Sequence, residues 1–172
     1  MKRYTAVSAL VVCLSFVSLS THAQGLSSFV LKSAFVYNFV TFTQWPQADT
    51  INICIYRNSF YAPLLGQILE KKPVANKRID IHELNSLSNT PQCEVLVIGD
   101  LSEGDTEILS DTSKIDNTLI ILDREFGNFR QGTITLRKDE SRVTFFVNRT
   151  LLERQRFKIS SKLLRLSRSA PQ

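Results

Sequence analysis

One uncharged stretch limits what this chain can fold into more than any other: Ser33-Ala-Phe-Val-Tyr-Asn-Phe-Val-Thr-Phe-Thr-Gln-Trp-Pro46, with Lys32 as its nearest charge. Read at 3.6 residues per turn with its approach from Leu26, it places Val30, Ala34, Tyr37 and Thr41 on one line. Leu31, Phe35, Phe39 and Phe42 lie beside that line. The polar residues Asn38 and Thr43 do not share a face. A helix apolar nearly all round needs cover on more than one side, from its own domain or from a second chain. The β-branched and aromatic residues of its second half also permit a strand. Pro46 ends the element in either case, because proline lacks an amide proton and restricts the residue before it.

Ahead of this stretch lies a segment with the pattern of an export signal. Lys2 and Arg3 precede an uncharged, mostly apolar run from Thr5 to Leu19, and Thr21-His22-Ala23 supplies the small residues of a cleavage site before Gln24. The run is shorter than the ~20 residues that span a bilayer, so cleavage is expected rather than anchoring, and Cys13 leaves with the signal. Residues 1–23 are thus a signal peptide and 24–172 a single domain of 149 residues, enough for a real core. Nothing later in the chain reads as a membrane anchor. An exported protein meets little nucleic acid. The basic run Arg142 to Arg168 has eight Lys or Arg against Glu153 alone. It therefore suits an acidic protein surface, lipid headgroups or plain solvent.

Two cysteines remain after processing, Cys54 and Cys93. An even count in an oxidising compartment argues for a disulfide, worth roughly 4 kcal/mol in the chain-entropy model; two buried thiols are the alternative. No metal site is expected, because His82 is the single remaining imidazole and has no ligand-pair spacing with either thiol.

Along the chain, strands and helices alternate. Ile51–Tyr56, Arg78–Leu84, Cys93–Ile98 and Asn117–Leu122 read as strands, the last two buried. Helices are expected at Tyr61–Lys72, stopped by Pro73, and at about Thr106–Leu109. Turns are expected at Phe126-Gly127-Asn128-Phe129 and Gly132, then an antiparallel hairpin of Thr133–Leu136 and Val143–Val147. Asn148 caps a final helical region containing Leu151, Leu152, Ile159, Leu163, Leu164 and Leu166. This order predicts a three-layer α/β sandwich, a mainly parallel sheet with an antiparallel hairpin at one edge.

In such a sheet ligands bind beyond the carboxyl ends of the strands. Asp100, Glu103, Asp105 and Asp123 fall there and have two readings, a cation or acid/base cluster or ordinary caps and loop solubilisers. Gly99 and Gly104 have phosphate-loop spacing, but Asp105-Thr106 stands where Lys-Ser/Thr belongs, so the match is accidental. No nucleophile arrangement is visible, the two cysteines lack redox-motif spacing, and no cofactor or catalytic residue is expected.

Three stretches together resemble one family. They are the opening Lys32–Pro46 with its Phe35, Tyr37, Phe39, Trp45 and Pro46, the strand Cys93-Glu-Val-Leu-Val-Ile98, and the closing Ile159-Ser-Ser-Lys-Leu-Leu-Arg-Leu-Ser-Arg168. In that order they resemble the YfiR family of small bacterial periplasmic proteins. Cys54 and Cys93 occupy that family's usual cysteine positions; the second pair of some members is absent, with Asn128 and Leu136 in its area. The resemblance implies a non-catalytic regulator. It would bind and repress the sensor domain of an inner-membrane diguanylate cyclase, lowering cyclic-di-GMP and biofilm formation, with an outer-membrane lipoprotein as a further partner. A homodimer is expected, with partner contact through apolar surface of the first helix or of the Leu151–Ile159 region and nearby arginines, Arg154, Phe157 and Ile159 foremost. The alternative is a periplasmic small-molecule receptor, with Tyr37, Trp45, Tyr56 and Phe60 lining a pocket and an arginine fixing a carboxylate or phosphate. Core packing is the competing role for those aromatics.

Overall fold

The computed structural model describes residues 21–46, 48–74, 76–88, 93–110, 117–124, 131–139 and 142–168, with side chains from Ser28 onward. The expected export signal up to residue 20 and the turn at 126–129 lie outside the described residues.

The uncharged stretch does form a helix, α1 (Thr21–Thr41), and its last residues turn into a two-residue strand, β1 (Thr43–Gln44). The expected cleavage point before Gln24 falls in the first turn of α1. The chain then alternates β2 (Thr50–Tyr56), α2 (Tyr61–Lys71), β3 (Arg78–Leu84), β4 (Val95–Ile98), α3 (Glu103–Ser110) and β5 (Leu119–Asp123). The hairpin follows as β6 (Ile134–Asp139) and β7 (Arg142–Val147).

Six strands make one sheet in the order β3-β2-β4-β5-β6-β7. Every pairing is parallel except β6 with β7, so the hairpin contributes one parallel strand and one antiparallel edge strand. The period-2 alternation of the strands divides the apolar side chains between two cores. Ile51, Ile53 and Ile55 of β2, Val95 and Val97 of β4, and Leu119 and Ile121 of β5 face one side, where they meet Val36, Phe39 and Val40 of α1 and Tyr61 and Leu65 of α2. Cys54, Tyr56, Leu96, Ile98, Ile120 and Leu122 face the other, under Leu109 of α3 and Leu87. This is the expected three-layer arrangement, with fully buried central strands reading as near-continuous apolar runs. The Sγ atoms of Cys54 and Cys93 lie at bonding distance in the second core, with Cα atoms 5.9 Å apart.

The end of the chain departs from the single helical region expected there. It breaks into α4 (Arg149–Glu153), β8 (Lys158–Ile159) and α5 (Ser161–Leu164). Asn148 does cap α4, its side chain accepting from the Leu151 N–H at 3.1 Å, and Ser160 caps α5 in the same way. Between them β8 pairs antiparallel with β1, Thr43 opposite Ile159 and Gln44 opposite Lys158. Trp45 and Phe157 close this clip with ring centroids 5.2 Å apart. Ile159 is therefore a strand residue buried against the start of the domain, not a helical one. Phe35 and Tyr37 are partly buried, Phe39 fully buried, Trp45 buried with its Nε1–H donating to the Val40 carbonyl at 3.0 Å, and Pro46 exposed.

Among the described residues no helix is long and apolar enough to cross a membrane.

Candidate functional site

In the sheet order, β2 has β3 on one side and β4 on the other. The chain leaves β2 for α2 over the first core and leaves β4 for α3 over the second. The carboxyl ends of β2 and β4 thus bound a topological switch point, where no crossover fills the crevice.

Local sequence shapes this crevice. Arg57, directly after β2, takes the left-handed conformation with φ 54°, which turns the chain sharply. Asn58 then starts the next helix: its side-chain oxygen accepts from the Phe60 N–H and its carbonyl from the Tyr61 N–H, both at 3.3 Å. Gly99, directly after β4, donates its N–H to the Tyr56 carbonyl at 3.0 Å. A Cβ at Gly99 would stand 2.5 Å from the Arg57 carbonyl oxygen, so only glycine permits this approach. Above it lie two adjoining clefts of about 400 and 500 Å³, both bounded by Phe29, Arg57 and Asn58.

The floor holds a buried ionic group. Lys32 of α1 reaches Asp123 at the end of β5 at 2.5 Å, and both side chains are only 5% exposed. The Tyr61 hydroxyl of α2 donates to the other Asp123 oxygen at 2.8 Å. Burial, reinforced by the Asp123 charge and this hydrogen bond, pushes the Tyr61 phenol far above its ordinary value. A second carboxylate, Asp105, lies by the ring of Tyr56. It accepts from the Tyr56 hydroxyl at 3.0 Å, the Ser102 N–H at 2.8 Å and the Ser102 hydroxyl at 2.7 Å, and it pairs with Arg57 at 3.3 Å. Burial alone would raise the Asp105 pKa; the Ser102 and Tyr56 hydrogen bonds and the Arg57 charge outweigh it and hold the group below the usual range. Burial and the same Asp105 contact raise the Tyr56 pKa.

The four strand-end acids therefore do not converge. Asp123 is held by α1 and α2, Asp105 is held by Ser102, Tyr56 and Arg57, and Asp100 and Glu103 are exposed. Among the described residues no group of three or more His, Cys, Asp or Glu side chains is placed to hold a metal ion. The arrangement can position a ligand; its two buried carboxylates are already committed to hydrogen bonds.

The expected aromatic pocket is dispersed. Phe60 lines a cleft at 53% exposure, but Tyr56 is buried, Trp45 is in the β1–β8 clip and Tyr37 lies partly buried on α1. Of the expected partner contacts, Phe157 and Ile159 are buried in the first core and only Arg154 is exposed. Lys32, Arg57, Arg124 and Tyr61 were missed as site residues. Lys32 stood out as the charge nearest the apolar helix; Arg57 and Tyr61 gave no comparable signal.

A family model described as YfiR/HmsC-like matches residues 29–168. The chain belongs to that family. The match takes in both motifs at the ends of the fold, the α1–β1 opening and the β8–α5 closing, which the β1–β8 pairing brings together. No individually curated protein is similar enough to be matched with the chain.

Proposed function

We propose that this chain is a periplasmic repressor that binds the sensor domain of an inner-membrane diguanylate cyclase and holds it inactive. Membership of the YfiR/HmsC-like family over residues 29–168 carries the reading, because at family level it supports a periplasmic regulator of diguanylate cyclase signalling rather than a catalyst. A disulfide-forming pair, Cys54 and Cys93, suits an exported protein.

The geometry supports a protein-binding role and, of the two expected surfaces, favours the first helix. With Phe157 and Ile159 buried, three of the five exposed large apolar side chains among the described residues lie on or just past α1, the others being Phe60 and Leu166. Val30 and Leu31 are each 45% exposed and Phe42, just past the helix, 44%. At 100° per residue they share a face with Ala34, Tyr37 and Thr41, over roughly 18 Å of helix. An apolar stripe of this kind is a fitting protein contact. A homodimer and capture by an outer-membrane lipoprotein belong to the same proposal.

Deleting the gene in the bacterium that makes the protein tests it. Cyclic-di-GMP, measured by mass spectrometry, should rise together with biofilm, and return when the wild-type chain is supplied. An unchanged level after deletion would refute the repressor role.

A further inference from the structure

We propose that the crevice at the carboxyl ends of β2, β4 and β5 is a binding site for a small organic anion, a carboxylate or phosphate carried on a flat apolar body. This goes beyond the repressor reading and does not depend on it.

Position comes first. Strand order reverses between β2 and β4, so the crevice is left open by the topology itself, the place where open α/β sheets hold their ligands. Size agrees: adjoining clefts of about 400 and 500 Å³ fall in the range of small-molecule sites.

Two arginines then offer the donors that an anion would use. The wall nearest the switch point carries Lys32, Arg57 and Arg124 against Asp100 and Asp123. Lys32 and Asp123 neutralise each other on the floor, 2.5 Å apart. That leaves the Arg124 guanidinium and the part of the Arg57 fork not used by Asp105, with the exposed carboxylates of Asp100 and, on the neighbouring wall, Glu83 nearby. The Arg57 side chain is 46% exposed and is steadied over the Tyr56 ring at 5.1 Å. Its ion pair with Asp105 uses Nη1, and Asp105 also accepts from Tyr56 and Ser102. Most of the five-donor guanidinium fork stays available to a carboxylate or phosphate, which it matches in geometry. A bound metal ion is disfavoured, since among the described residues no group of three or more acids, histidines or cysteines is placed to hold one.

The apolar requirement comes from the neighbouring wall. Phe29 and Phe60 stack with centroids 4.8 Å apart, and Phe60 remains 53% exposed. A flat body lying on the open Phe60 face would bury that ring while its anionic end reaches Arg57. Gly99, which admits no side chain, keeps the strand ends close and fixes the donors relative to the rings.

Titration of the processed protein with 8-anilino-1-naphthalenesulfonate, followed by calorimetry, tests the site. N-phenyl-1-naphthylamine supplies the same ring system without the anion. Saturable one-to-one binding of the sulfonate is expected, with the neutral amine at least ten-fold weaker. Arg57→Gln and Arg124→Gln should each weaken the sulfonate about ten-fold. Phe60→Ala should weaken both probes, and Arg154→Gln, an exposed change outside the cleft, neither. Burial of Trp45 gives every variant a fluorescence check of folding. Should Arg57→Gln fail that check, Arg124→Gln decides. Absence of saturable binding, equal affinity for the two probes, or indifference to the arginine variants would overturn the proposal.

Discussion

Lys32, Asp123 and Tyr61 come from three different elements and meet where almost no water reaches. A buried ion pair of this kind adds little net stability, since both charges give up hydration to form it, but breaking it leaves one charge stranded. Asp123→Asn should therefore lower the free energy of unfolding by about 3–5 kcal/mol in urea. The apolar triple replacement Lys32→Met, Asp123→Leu, Tyr61→Phe should recover most of that loss. Asp105 makes a different prediction. Its folded pKa lies below the ordinary value of 3.8, so its contribution is present above that value and lost as pH falls through the folded pKa. Wild-type stability should fall below about pH 4 more steeply than that of Asp105→Asn, measured by urea unfolding across pH. Asp123 was legible in the sequence as an acid ending a buried strand. The inward turn of Lys32 was not, because helical periodicity assigns no inner side to a helix apolar on all faces.

At the scale of elements, the helix α1 explains both successes and misses. Its existence followed from spacing, and its need for cover follows from the stripe of Val30, Leu31 and Phe42 that remains open. Leu31→Glu should change stability by less than about 0.5 kcal/mol yet abolish partner binding, a contrast that core residues cannot give. The strands were legible to within two residues at most ends because apolar runs bounded by turns mark them well. The β1–β8 clip was not. Two-residue strands carry no period, and Ile159, Leu163 and Leu164 happen to fall at helical spacing. Trp45→Ala or Phe157→Ala should cost about 3–5 kcal/mol, read from urea midpoints, because each opens a cavity in the buried closure that ties both ends of the domain.

For the whole molecule, the two-sided sheet follows from the alternation of residues along its strands, and the switch point from the order in which those strands are connected. Cys54 faces the second core beside Cys93, and among the described residues that core is the smaller of the two. Cys54→Ala/Cys93→Ala should lower stability by roughly 4 kcal/mol, seen as an earlier thermal transition. Topology put the candidate site at the strand ends, where the sequence had already placed its acids; which cations gather there depended on the fold, because Lys32, Arg57 and Arg124 are far apart in the chain. The repressor reading is tested most directly by affinity capture from solubilised envelope, with tagged wild-type protein and Leu31→Glu side by side. Wild type should recover a membrane protein bearing a diguanylate cyclase domain, identified by mass spectrometry, and Leu31→Glu should not. Folded wild-type protein that recovers no such cyclase would contradict the account.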